Sequence, residues 1–239
     1  LFVAVLAMTG SAQWVNKGAF MPKYKGADST YKNIGQVHAV TVDPEGKVWV
    51  SGYYTMDSVL QANNTYGKVR AIYVINPDGS SASFSPIKMI TVGGVTDTLW
   101  NSTRGMGIDA DGNPLFASFD AVYKIDYKTG AGMAKVIPVA GASLTSIVGL
   151  PNGNIVTAHV VGGNPIKLYD KNLNFLETLI DTSVGFSRAF AGTSNTDATK
   201  EVTIYWAGYT NHAIYKYYRA DDLSKVTLTD TLLKGFDSE

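Results

Sequence analysis

Apolar and polar residues alternate in short runs along most of the chain. Ala39-Val-Thr-Val42 and Val48-Trp-Val50 flank one turn, Met106-Gly-Ile108 and Leu115-Phe-Ala117 a second, and Ser146-Ile-Val148 and Ile155-Val-Thr157 a third. A period of two is what a half-buried strand requires, because successive side chains point to opposite faces. No stretch sustains a 3.6-residue period, so no long helix is predicted. The turns read Asp43-Pro-Glu-Gly46, Asp109-Ala-Asp-Gly112 and Leu150-Pro-Asn-Gly153. Asp at the start, Pro in second place and Gly at the end favour tight β-turns, so paired antiparallel strands are expected.

The pairs repeat. Residues 38–52, 104–118 and 145–158 superpose, each a strand, a turn ending in Gly, and a strand closing on small residues. A third strand follows in each unit: Ala71-Ile-Tyr-Val-Ile75, Ala121-Val-Tyr-Lys-Ile125 and Pro165-Ile-Lys-Leu-Tyr169. A fourth unit matches more loosely through Ser187–Thr193, Val202–Gly208 and Ala213–Arg219. Fourth strands are predicted at residues 85–92, 134–139, 175–180 and 226–233. Units of four strands recurring every 40 residues or so are the signature of β-propeller blades. A sandwich of short strands accounts less well for the recurrent third strand and its acidic turn. The reading is an all-β propeller of four-stranded antiparallel blades. About four blades are present, near 37–95, 103–140, 144–181 and 187–234, as a fragment of a larger propeller. Residues 13–36 are a possible ring-closing strand. The first unit carries an insertion after Tyr54 whose polar, Asn-rich composition predicts a surface loop able to reach a partner.

Residues 1–12 stand apart. Leu1–Met8 is uninterrupted apolar sequence, followed by Thr9, Gly10, Ser11 and Ala12. This is the pattern of the end of a secretory signal peptide, with Gly10 and Ala12 at the small-residue positions of a cleavage site. It is too short to span a bilayer, which needs about 20 apolar residues. Of 239 residues none is Cys, which excludes disulfides, thiolate metal sites and thiol catalysis. A secreted, periplasmic or cell-surface bacterial setting is expected. Twenty basic and 20 acidic residues give zero formal net charge. That balance removes the basic surplus needed to grip nucleic acid or an anionic membrane. No membrane insertion and no nucleic-acid partner are expected.

The motifs Val37-HAVTVDPEGKVWVSG and Arg104-GMGIDADGNPLFAS resemble the NHL and gluconolactonase-like propellers of the six-bladed type. Their blades carry an apolar strand, an Asp-x-x-Gly turn and an aromatic-small closing strand. The resemblance covers most of the chain and speaks to fold, since one propeller architecture hosts many chemistries. It implies one enzymatic alternative, a divalent-metal lactonase or esterase holding calcium through carboxylate and Asn oxygens at the channel mouth. A lyase resembling the streptogramin-inactivating propellers, using a His base, is another. No Gly-x-Ser-x-Gly elbow and no phosphate-binding loop occurs, and Val92-Gly-Gly-Val95 reads as a turn.

Blade geometry sets the candidate site. Each innermost strand starts at one mouth of the central channel, and the loop after the second strand returns to it. His38, Arg104, Thr145 and Arg188 start the four inner strands. The returning loops add Tyr53, Tyr54, Asp120, His159, Tyr209 and His212. Guanidinium forks suit carboxylate or phosphate, and tyrosines stack on sugars and other flat partners. The expectation is a binding or interaction module with a small-molecule, glycan or protein partner, no cofactor, and no catalytic residue. The acids of the turns, Asp43, Glu45, Asp109 and Asp111, belong to the opposite face. Sequons at Asn63 and Asn101, and Asp-Ser/Thr-apolar triplets at Asp57, Asp97 and Asp230, are compatible with glycosylation and equally with ordinary turns.

Overall fold

The computed structural model describes residues 36–234 apart from 56, 186, 209–211 and 223–224, with the two-residue strands Tyr24–Lys25 and Tyr31–Lys32. The signal-like segment 1–12 lies outside the described residues. So does most of 13–36; its two short strands pair with each other and join no blade among the described residues.

The protein is all-β, and its sheets are propeller blades. Three antiparallel sheets of four strands run in sequence order. One is Thr103–Ile108, Pro114–Ser118, Ala121–Ile125 and Gly132–Val136. The next is Leu144–Gly149, Ile155–His159, Ile166–Tyr169 and Phe175–Ile180. The last is Ser187–Thr193, Val202–Gly208, Ala213–Arg219 and Thr227–Lys234. The first sheet has three strands, Val37–Val42, Val48–Gly52 and Ile72–Ile75. The innermost strands pack in order, first on second, second on third, third on fourth; the first and fourth do not pack along one another.

Two expectations for the first unit change. Its fourth strand does not form: Ile87 makes a single bridge to Ile72, and Met89–Val92 pairs with Val95–Thr98 instead. Gly93 and Gly94 both have positive φ, 58° and 81°, the conformation a two-residue hairpin turn demands, so a local partner captures the strand. The insertion is likewise a hairpin, Asp57–Leu60 with Tyr66–Val69, rather than an irregular loop. Its Val59 and Val69 pack on Ala71 and Tyr73, covering part of the first sheet's outward face.

Apolar residues between neighbouring sheets build the core. Trp49, Ile72 and Val74 meet Phe116, Tyr123 and Ile125. Leu115, Ala117 and Val122 meet Leu144, Ile147 and Ile155. Leu150, Val156 and Leu168 meet Phe190, Ile204 and Trp206. Near the channel the sheets approach so closely that a Cβ on Gly107 would stand 2.6 Å from the Ile147 carbonyl oxygen. On the far face the turn acids act structurally. Asp43 accepts bonds from the Glu45 and Lys47 amides and from Trp49 Nε1 at 2.9 Å. Buried Asp109 holds the Asp111 and Asn113 amides and pairs with buried Lys124 at 2.6 Å. Lys124 Nζ also donates to the Lys171 carbonyl, tying the second sheet to the third.

Candidate functional site

One irregularity recurs in all four sheets. The pairing of the first two strands slips between Val37 and Ala39, Thr103 and Gly105, Leu144 and Ser146, and Ser187 and Ala189. The residues in the slips are His38, Arg104, Thr145 and Arg188. A β-bulge leaves its extra residue outside the ladder and re-aims its side chain. Fourfold recurrence at the channel end makes this a shared device. His38, Arg104 and Thr145 line one cavity of about 240 Å³ with Ala189 and Phe190, so all four inner strands border it. The Arg188 side chain lies outside the described residues.

The returning loops occupy matched positions. Tyr53 N donates to the Gln36 carbonyl, Phe119 N to Ser102 and Val160 N to Ser143. Loop residues Tyr53 and Phe119 therefore stand at equivalent heights on adjacent blades, and the Arg104 guanidinium lies against both. Its carbon is 5.2 Å from the Tyr53 ring centre and 5.6 Å from that of Phe119, within cation–π range. Edge-to-face contacts extend the cluster from Tyr53 to His38 at 5.3 Å and to Tyr54 at 5.0 Å. Arg104 Nε is buried and has no hydrogen-bond partner among the described residues. The cluster thus presents an unused in-plane guanidinium donor among aromatic rings. Phe119 was missed as a site residue because a Phe after a strand reads as core. The available signal was its alignment with Tyr53. Its backbone is left-handed, φ 54°, which a bulky residue adopts only when its surroundings impose it.

The other predicted residues divide. Thr145 Oγ1 donates to the Ser187 carbonyl at 2.6 Å, so its hydroxyl proton ties the third sheet to the fourth. Asp120 accepts from the Gly141 amide at 2.7 Å and braces a loop. His159 departs from the expectation of an accessible loop residue. It ends its strand fully buried, with Nδ1 3.2 Å from the Pro165 carbonyl and Nε2 without a hydrogen-bond partner among the described residues. Burial holds its imidazole below the usual pKa; the nearby Lys167 charge acts the same way and the Pro165 contact opposes it. His212 stands half-buried in the turn just before its strand, with φ 45°. Tyr209 lies outside the described residues. Among the described residues, no three His, Asp or Glu side chains gather as a group able to hold a metal. No helix there is long and apolar enough to cross a membrane.

No family model and no curated protein matches the sequence. Solved structures do resemble the fold. A protein of unknown function from Bacteroides caccae aligns with TM-score 0.53 at 13% identity, over 85% of this chain and 63% of its own. A Bacteroides uniformis protein provisionally assigned as a 6-phosphogluconolactonase aligns with TM-score 0.53 at 13% identity, over 83% of this chain and 55% of its own. The chain spans less than two thirds of the length of either. At this identity the likeness speaks to fold, and it is a propeller resemblance.

Proposed function

We propose that the protein is a binding module of propeller architecture whose ligand seats at the channel mouth over His38, Tyr53, Tyr54, Arg104 and Phe119. The observation that carries this reading is the Arg104 guanidinium against two aromatic rings with Nε buried and unbonded among the described residues. A buried donor without a partner is costly to keep, and an incoming carboxylate or phosphate oxygen would satisfy it. The surrounding rings suit the flat face of a sugar, so an acidic glycan or small organic acid is the ligand class favoured. The sequence of residues 1–12 supports a place of action outside the cytoplasm.

The test begins with the wild-type protein on an array of acidic and neutral glycans and small acids. Arg104→Ala should weaken binding of the best ligand about ten- to a hundredfold, the range of a charged hydrogen bond. Arg104→Lys should not restore it, because an ammonium cannot reproduce the planar fork. Asp43→Asn, on the far face, should leave affinity unchanged. Equal affinity of Arg104→Ala and wild type would refute the reading.

A further inference from the structure

A second polar cavity lies away from the channel, between the outer parts of the third and fourth sheets. It measures about 330 Å³ and is lined by Glu177, Thr178, Asp181, Arg219 and Lys225 among others. That size is within the range of small-molecule pockets.

Arg219 makes this cavity unusual. The third strand of the first three sheets ends on Ile75, Ile125 and Tyr169, each essentially inaccessible to solvent. In the fourth sheet buried Tyr217 takes the matching position, and the strand runs two residues further to end on Arg219, also buried, at 2% exposure. A charged side chain buried at that added end breaks the rule that charged groups stay solvated. Such breaks mark functional positions. Two of its nitrogens are spoken for: Nε donates to the Lys200 carbonyl at 2.8 Å, and Nη1 pairs with Glu177 Oε1 at 2.8 Å. Nη2 is buried with no hydrogen-bond partner among the described residues. Two N–H donors on a cation are therefore unused beside a cavity with room for a ligand.

The charges on the wall narrow the ligand. Arg219 and Lys225 are cationic; Glu177 and Asp181 are anionic. A plain anion meets two carboxylates and a plain cation meets two positive groups. A molecule carrying both signs on adjacent atoms meets neither penalty. We propose that this cavity binds a small zwitterion of the α-amino-acid class, with its carboxylate on Arg219 Nη2 and Lys225 and its ammonium toward Asp181 and the free oxygen of Glu177.

Calorimetric titration of the full chain with alanine, propionate and ethylamine separates the alternatives. Alanine should bind saturably, and the two singly charged analogues at least tenfold more weakly. Lys225→Met, at an exposed position, should weaken alanine about tenfold or more without disturbing the fold. Arg219→Met keeps an unbranched apolar stem without the charge and should abolish binding while the chain stays folded by circular dichroism. If Arg219→Met does not fold, Lys225→Met decides alone. Arg104→Ala should bind alanine as wild type does, which locates the ligand away from the channel mouth. No saturable alanine binding, equal binding of propionate, or binding unaffected by Lys225→Met would each overturn the proposal.

Discussion

At the scale of single residues, polarity in a buried position is the informative feature. His159, Arg104 and Arg219 each keep a buried nitrogen without a hydrogen bond to any described residue, and the first has a consequence in pH. The folded protein holds the His159 imidazole neutral below the usual value, chiefly by burial. The unfolded chain takes up a proton near the ordinary imidazole pKa of about 6.5. Stability is therefore greatest above that value and is lost as pH falls through it, because the unfolded state then binds the extra proton. Denaturant titrations at pH 7.5 and 5.5 should show a smaller unfolding free energy at the lower pH. His159→Gln, which does not titrate there, should show a smaller loss over the same interval. An equal loss in both proteins would mean that His159 does not carry the effect.

Sequence reading saw these positions unevenly, for a physical reason. The bulge residues His38, Arg104 and Thr145 were legible because the turn fixes the strand and each sits the same number of residues before the turn glycine. Arg219 was not, because a polar residue ending an alternating strand reads as solvent-facing when its neighbouring sheet is unknown. Tyr209 and the Arg188 side chain lie outside the described residues.

At the scale of elements, the strands that alternate between turn glycines form as read, and the departures cluster in the first unit. There an inserted hairpin and the Met89–Val92 hairpin take over from a loop and a fourth strand. Apolar alternation specifies a strand but not its partner, and a close Gly-Gly turn supplies the nearer one. Each hairpin is fastened by an acid. Asp57 accepts from Tyr73 at 3.0 Å and pairs with Lys88 at 2.9 Å. Asp97 accepts from Tyr123 at 3.1 Å and pairs with Lys135 at 2.7 Å. Tyr73 and Tyr123 are matching residues of consecutive blades, so the two triads are one solution used twice. Burial, and then the Asp97 charge and its hydrogen bond, push the Tyr123 phenol well above its usual pKa. Asp97→Asn removes the charge and should lower that pKa, visible as an earlier phase in ultraviolet titration of the tyrosines. It should also speed amide exchange across Met89–Val92 and Val95–Thr98 while leaving the third sheet's protection intact. Unchanged titration and exchange would show that the triad does not hold the hairpin.

At the scale of the whole molecule, the four sheets bury their faces on one another only where a neighbour exists. Val37, Val40 and Val42 on the first inner strand remain 46%, 56% and 52% exposed. On the fourth inner strand Phe190 packs against the third sheet, while Ala189, Ala191 and Thr193 on the opposite side are exposed. An exposed apolar strand beside unpaired backbone is association-prone. The 239-residue chain should therefore self-associate, with a light-scattering mass above the 25.6 kDa of one copy that rises with concentration. Val40→Lys places a charge on the exposed side of the first inner strand. It should shift the distribution toward monomer with little change in melting temperature, since Val40 contributes little buried area. A wild-type protein that stays monomeric across the concentration range and melts cooperatively would show that these faces are satisfied within one copy. Association that Val40→Lys leaves unchanged would place the contact elsewhere, with the exposed side of the fourth sheet the next surface to charge.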